Sequence, residues 1–221
     1  MKAETIAVRK LLRCGTVIRP DWAAHLDAYF RDLRDLESLV NGASPVELRE
    51  GQWAILGLLA RAYQLSMCCV EMLAAKNWNG FYAGARGLAE AVAAVAWTLQ
   101  KPDRLPTLVR FGPISVGKFL NAGYARHPDL KALYADMSFT VHPGRSGHLL
   151  GFHPRAKDRR GIMTSFSMDF SDHFFRTKMA ILIVLTGWFR DDARKLVRSD
   201  GGRAITLGQV MVRVGKNAAD A

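Results

Sequence analysis

The sequence predicts a mainly α-helical bundle of about five to six helices, with a small β-hairpin inserted before the last long helix. Three observations lead there. Apolar residues recur at spacings of three and four along most of the first 100 residues. Proline, Asn-Gly and Ser-Pro punctuation cuts those stretches into helix-length pieces. Between residues 148 and 168 the pattern changes to strand-like alternation around a basic loop.

Residues 1–18 read as an N-terminal arm, 19–200 as the bundle domain with the β insertion near 148–168, and 201–221 as a C-terminal tail. The first helix runs from about Pro20, a residue suited to a first helical position, to Val40. Trp22, Leu26, Tyr29, Phe30, Leu33, Leu36 and Leu39 form its apolar stripe, and Asn41-Gly42 ends it. Ser44-Pro45-Val46-Glu47 reads as a capping box opening a second helix that extends to about Lys76. That helix is apolar over most of its circumference, which predicts a place in the centre of the bundle. After Asn77-Trp78-Asn79-Gly80, an Ala- and Gly-rich third helix runs from about Phe81 to Gln100, where Pro102 stops it. Pro102, Pro106 and Pro113 divide the next stretch. Lys118–Ala125 and Pro128–Val141 read as short helices, His148–Pro154 and Gly161–Met168 as strands, and 169–197 as a capped last helix. A short strand is expected within Ile205–Val214.

The chain has 221 residues, 49 % of them hydrophobic and 23 % charged, an ordinary globular mixture that excludes disordered, collagen-like and disulfide-scaffold classes. Cys14, Cys68 and Cys69 make no disulfide framework and no CxxC pair, so reduced thiols in a cytoplasmic protein are expected. The apolar run Met179–Phe189 is short of the roughly 20 residues a membrane span needs, and no membrane association is predicted.

Charge is distributed unevenly. Residues 1–100 hold 11 Lys+Arg and 10 Asp+Glu; residues 101–221 hold 20 and 10, so most of the formal +11 lies in the second half. A one-sided basic surface points to an anionic partner, RNA or a phosphorylated ligand, with Arg155, Lys157, Arg159 and Arg160 in the hairpin loop as nucleic-acid contacts. The apolar face of the first helix leaves room for a homodimer.

Two polar stripes stand out. Tyr82, Arg86 and Glu90 recur at i, i+4 and i+8 on the small-residue third helix. Charges on such a helix are costly to bury unless paired, so the stripe reads either as a structural ion pair or as a polar pocket. Arg61 and Glu71 make a matching stripe on the second helix; facing each other, the two would form a four-residue charge network. Tyr134, Ser138 and His142 repeat the spacing, with Arg145, His148 and His153 following. Pro143 ends the helix at His142, placing an imidazole where a helix C-terminus favours its charged form. Tyr82, Arg86, Glu90, Tyr134, His148 and His153 are therefore the candidate ligand-binding residues, and His142, Arg145 and Ser138 the candidate catalytic ones. The His spacings match no zinc pattern, and no metal or cofactor is predicted. Nucleotide-binding glycine loops, HExxH and GxSxG are absent.

Arg86-Gly87-Leu88-Ala89-Glu90 followed by Ser138-Phe139-Thr140-Val141-His142-Pro143 resembles an uncharacterised group of bacterial helical proteins with an R-x-L-x-E helix and an S-x-x-x-H-P segment. The resemblance covers about residues 45–198 and implies a fold rather than an activity. A looser similarity is to HEPN-type bundles, many of them ribonucleases, whose motif is an arginine followed by a histidine. Arg19 and His25 have that spacing, with Pro20 where the motif carries a polar residue.

Three functions follow as expectations. One is a binding domain for nucleic acid or a phosphorylated ligand, using the basic second half. Another is a metal-independent ribonuclease with His142 as acid/base and Arg145 or Arg86 against phosphate. The third is a structural or interaction module whose polar stripes set helix register.

Overall fold

The computed structural model describes residues 6–9, 11, 20–41, 47–109, 114–141, 152–154, 162–164, 172–197 and 204–206. The described part is a mainly α bundle. Helix α1 spans Pro20–Asn41, α2 Glu50–Ala74, α3 Trp78–Gln100, α4 Leu105–Val109, α5 Val116–Arg126, α6 Leu130–Val141 and α7 Asp172–Leu196. A 3₁₀ turn, Pro102–Arg104, links α3 to α4. Strands β1 (Glu47–Arg49), β2 (Phe152–Pro154), β3 (Ile162–Thr164) and β4 (Ala204–Thr206) form two antiparallel pairs, β1 with β4 and β2 with β3. Phe152 stands opposite Thr164, and Leu48 opposite Ile205.

The central helix is α3, not α2. It packs against α2, α5, α6 and α7. Its Leu88, Ala89, Val92, Ala93, Val95 and Ala96 are essentially inaccessible. The reason is side-chain size. A helix ringed by neighbours needs small residues on several faces so that backbones can approach, and α3 supplies them. At the closest approach, a Cβ on Gly123 of α5 would lie 2.8 Å from the Ala93 Cβ and 3.1 Å from its Cα.

Helix α2 borders α3 and contacts α1, α4 and α7 as well. By length and composition it is apolar enough to cross a bilayer, with a mean hydropathy of 1.4 over 18 residues, yet only 39 % of that window is buried. Its partly buried Trp53, Leu56 and Leu58 pack against the core on one side and line a groove on the other.

The start of α2 departs from expectation. Residues 47–49 are strand, and the helix begins at Glu50 with Arg49 as N-cap. The Arg49 N–H donates to Gln52 Oε1 at 2.8 Å, so Gln52 takes the role expected of Glu47. Pairing with β4 holds 47–49 extended. At the other end, Lys76 has φ 54° and its N–H donates to the Leu73 carbonyl, while Asn77 N–H donates to Met72, which is a Schellman closure. Asn77 then caps α3 by accepting the Gly80 N–H at 2.9 Å, which starts that helix at Trp78 rather than Phe81.

Within residues 1–18 the structure describes 6–9 and 11, and of these Ala7, Val8 and Leu11 are buried in the core. Tyr29, wholly buried, fixes α1 on α2 through a 3.0 Å hydrogen bond between its hydroxyl and Ser66. Cys68 is half-buried and Cys69 buried, both as free thiols. Cys14 lies outside the described residues.

Candidate functional site

The two stripes meet. Helices α3 and α6 pack so that Tyr134 stands against Arg86 and Glu90. Arg86 Nε–H donates to the Tyr134 hydroxyl at 3.1 Å, and that hydroxyl donates to Glu90 Oε1 at 3.0 Å. Arg86 Nε lies 3.5 Å from the same carboxylate oxygen. The loop of contacts closes because residues four apart on a helix share a face. Burial pushes the Tyr134 phenol up, and its bond to Arg86 works against that shift.

Arg61 of α2 completes the network from the other side, its Nη2 3.7 Å from Glu90 Oε2. Glu71, expected to join it, is exposed. Ten residues along a helix separate Arg61 from Glu71 by roughly 15 Å, too far for one cluster. Tyr134 takes the place given to Glu71. The charges of Arg61, Arg86 and Glu90 sum to one net positive. Arg61 is the loosest member, with a side chain 57 % exposed against 20 % for Glu90.

Arg61 and Glu90 also line an open groove of about 730 Å³. Its walls are Trp53, Leu56 and Leu58 of α2, Leu108 of α4, and Val116 and Phe119 of α5, with small residues of α3 at its floor. Among the described residues, α4 and α5 leave part of α2 uncovered, and the groove lies there. Its size falls within the range of small-molecule sites.

Tyr82 has a different partner. It is 5 % exposed, and the Lys178 ammonium of α7 sits 4.4 Å from its ring centroid. Lys178 is itself buried, which lowers its pKa, while Asp136 works in the opposite direction. Lys178 is not among the residues that the sequence singles out. Its spacing to Phe175, Ile181 and Leu182 puts it on that helix's inner face, and this is the signal that could have found it. Ser138 Oγ is buried with no hydrogen-bond partner among the described residues.

A third polar cluster lies at the far end of α5. Asp192 of α7 is buried and accepts two hydrogen bonds from Arg126, at 2.6 and 2.7 Å, and one from His127 at 2.8 Å. His127 stacks on Trp188 at 4.7 Å. Burial would raise the Asp192 pKa, but the Arg126 and His127 bonds outweigh it and hold the carboxyl below its usual range. Nothing in the spacing of these residues announces the cluster, since more than 60 positions separate its halves.

His142, Arg145, His148, Arg155, Lys157, Arg159 and Arg160 lie outside the described residues, as does Arg19. His153 is in β2 opposite Met163. His25 is half-buried on α1, with Nε2 3.0 Å from Thr186 Oγ1. The Thr186 hydroxyl is 2.8 Å from the Leu182 carbonyl. Its one hydrogen is used there, so His25 Nε2 is the donor. Among the described residues no group of three or more His, Cys, Asp or Glu side chains could hold a metal ion. No family model, curated protein or solved structure matches the chain.

Proposed function

We propose that this protein is a ligand-binding helical domain that takes a small anionic molecule where the apolar groove meets the Arg61–Glu90–Arg86–Tyr134 network. The observation that carries this reading is Arg61. Its guanidinium lies at the edge of a 730 Å³ groove, largely exposed, with a single ion-pair contact among the described residues, at 3.7 Å. A guanidinium presents five donors in a planar fork matched to carboxylate, sulfonate or phosphate. Glu90 is already served by Tyr134 and Arg86, so an incoming anion meets Arg61 without stripping the carboxylate of its partners.

The test is a fluorescence titration with 8-anilinonaphthalene-1-sulfonate, whose sulfonate and rings match both parts of the site. The expected result is saturable one-site binding, weakened about tenfold by Arg61→Ala, equivalent to the loss of one charge-assisted contact. Equal affinity in the variant removes the assignment.

The surplus of basic residues in 101–221 supports a second reading, binding of RNA through that half. Anisotropy of a labelled single-stranded RNA at about 50 and 200 mM salt, followed for an hour, tests it. Salt-sensitive, time-independent binding supports an RNA-binding surface. A decaying signal favours the ribonuclease reading and directs attention to His142. Absence of binding at both salts leaves the groove as the site.

A further inference from the structure

We infer that the occupant of the groove is a monomeric single-chain amphiphile, an unbranched carboxylate of medium chain length. Its carboxylate lies on Arg61 and its hydrocarbon chain along the α2–α5 walls. This rests on the reading of the groove as an anion-binding ligand site, and names the ligand's class.

The walls decide the chemistry of the ligand's body. Apart from Arg61, Glu90 and the indole N–H of Trp53, every side chain lining the groove is apolar or a glycine. Along the middle of α2 and α3 the backbone polar groups are engaged within the helices, whereas Leu108 and Val109 end α4 and Val116 opens α5 at the groove's other wall. A hydroxyl, amide or phosphate placed against the α2 and α3 walls gains no side-chain partner there apart from Arg61, Glu90 and the Trp53 indole, a cost that disfavours sugars, nucleosides and peptides along that stretch. A hydrocarbon chain incurs no such cost. The lining also runs lengthwise: Trp53 to Arg61 on α2 spans eight residues, roughly 12 Å of helix. That is a channel for an extended chain ending at a guanidinium.

The charge at the end decides the head group. The local sum of one positive charge favours an anion over an amine, and the free edge of Arg61 fits a carboxylate in two-point contact. A second copy of the chain is a poorer occupant. Filling the groove from another molecule requires an apolar ridge. The exposed large hydrophobics among the described residues are Ile6, Leu39, Val184 and the groove's own Val116, one on each of four elements, so no single described helix presents two of them as a ridge.

Gly57 supplies a plug that does not strain the fold. It lines the groove, and a Cβ built on it meets nothing within 4 Å. Gly57→Leu therefore fills the groove from a helix position where leucine is favoured over glycine.

The experiment is calorimetric titration of the full chain with hexanoate, octanoate, decanoate and decan-1-ol, each below its micellar concentration. It is repeated on Arg61→Ala and Gly57→Leu, with thermal unfolding of both variants confirming that they fold. Burying each added methylene predicts affinity rising about fourfold per carbon along the series. Decanoate is expected to bind one site, about tenfold more weakly in Arg61→Ala, and to lose its chain-length dependence in Gly57→Leu. If the naphthalene sulfonate binds through Arg61 but carboxylate affinity is flat with chain length, the ligand class is wrong and the anion site stands. If decan-1-ol binds as tightly as decanoate, the carboxylate–Arg61 contact is wrong. If neither the sulfonate nor any carboxylate binds, both the site and the ligand class fall. A ligand-independent dimer broken by Gly57→Leu assigns the groove to a second copy and overturns the proposal.

Discussion

Asp192 shows how much one buried carboxylate can hold. Two bonds from Arg126 and one from His127 join the end of α5 to α7. Asp192→Asn keeps the shape but removes the charge, leaving Arg126 to hydrate through its exposed third; the expected loss is about 2 kcal/mol by urea unfolding. The pH dependence has a definite sign. The native carboxyl titrates below the unfolded value of about 3.9, so the unfolded chain takes up the proton first. The stabilisation is fully present above that value and is lost as pH falls through the depressed native one. His25 acts in a higher window. Burial, then Arg190, lowers its pKa, against Asp191 and Asp32. Stability should therefore rise with pH between that depressed value and about 6.5 and level off above it. In His25→Gln this slope should vanish in unfolding curves recorded between pH 5 and 7; an unchanged slope would place the titration elsewhere.

At the scale of the helices, a long apolar stretch does not by itself fix position. Among the described helices α2 alone is long and apolar enough to cross a bilayer, and α3 is the more enclosed of the two. Two glycines test this ordering in opposite directions. Gly123→Ala forces a Cβ against the Ala93 backbone and should cost about 1–3 kcal/mol. Gly57→Ala meets open space in an exposed part of α2 and should stabilise by about 0.5–1 kcal/mol through helix propensity alone. Equal effects in thermal unfolding would mean that α3 and α5 do not approach as closely as their small residues permit. The stripes of α3 and α6 were legible at this scale because a period of four on a helix is visible in sequence. That Arg86, Tyr134 and Glu90 close on one another was not, because spacing along one helix carries no information about which face of another it meets.

Across the whole molecule, net charge acts on every element at once. A chain of formal net charge +11 repels itself, and the repulsion is screened by salt. Raising salt from about 50 to 200 mM should lift Tm by roughly 2–4 °C, the shift that about 1 kcal/mol produces at this length. A fall in Tm would mean that attractive pairs such as Arg194 with Asp32, at 2.8 Å, outweigh the net field.

Periodicity, proline placement and residue size determined, without any structure, that the chain is a helical bundle, where most helices lie, and which polar residues share a face. These are local properties, set within one or two turns. Tertiary packing alone decided that α3 rather than α2 is central, that Glu47 belongs to a strand, and that Arg61 rather than Glu71 joins the polar network. It also decided that Asp192 is buried with Arg126 and His127, and that part of α2 is left as a groove. Each of these depends on which surfaces meet across tens of residues. That outcome is fixed by the competition among all helices for burial, and no short window of sequence contains it.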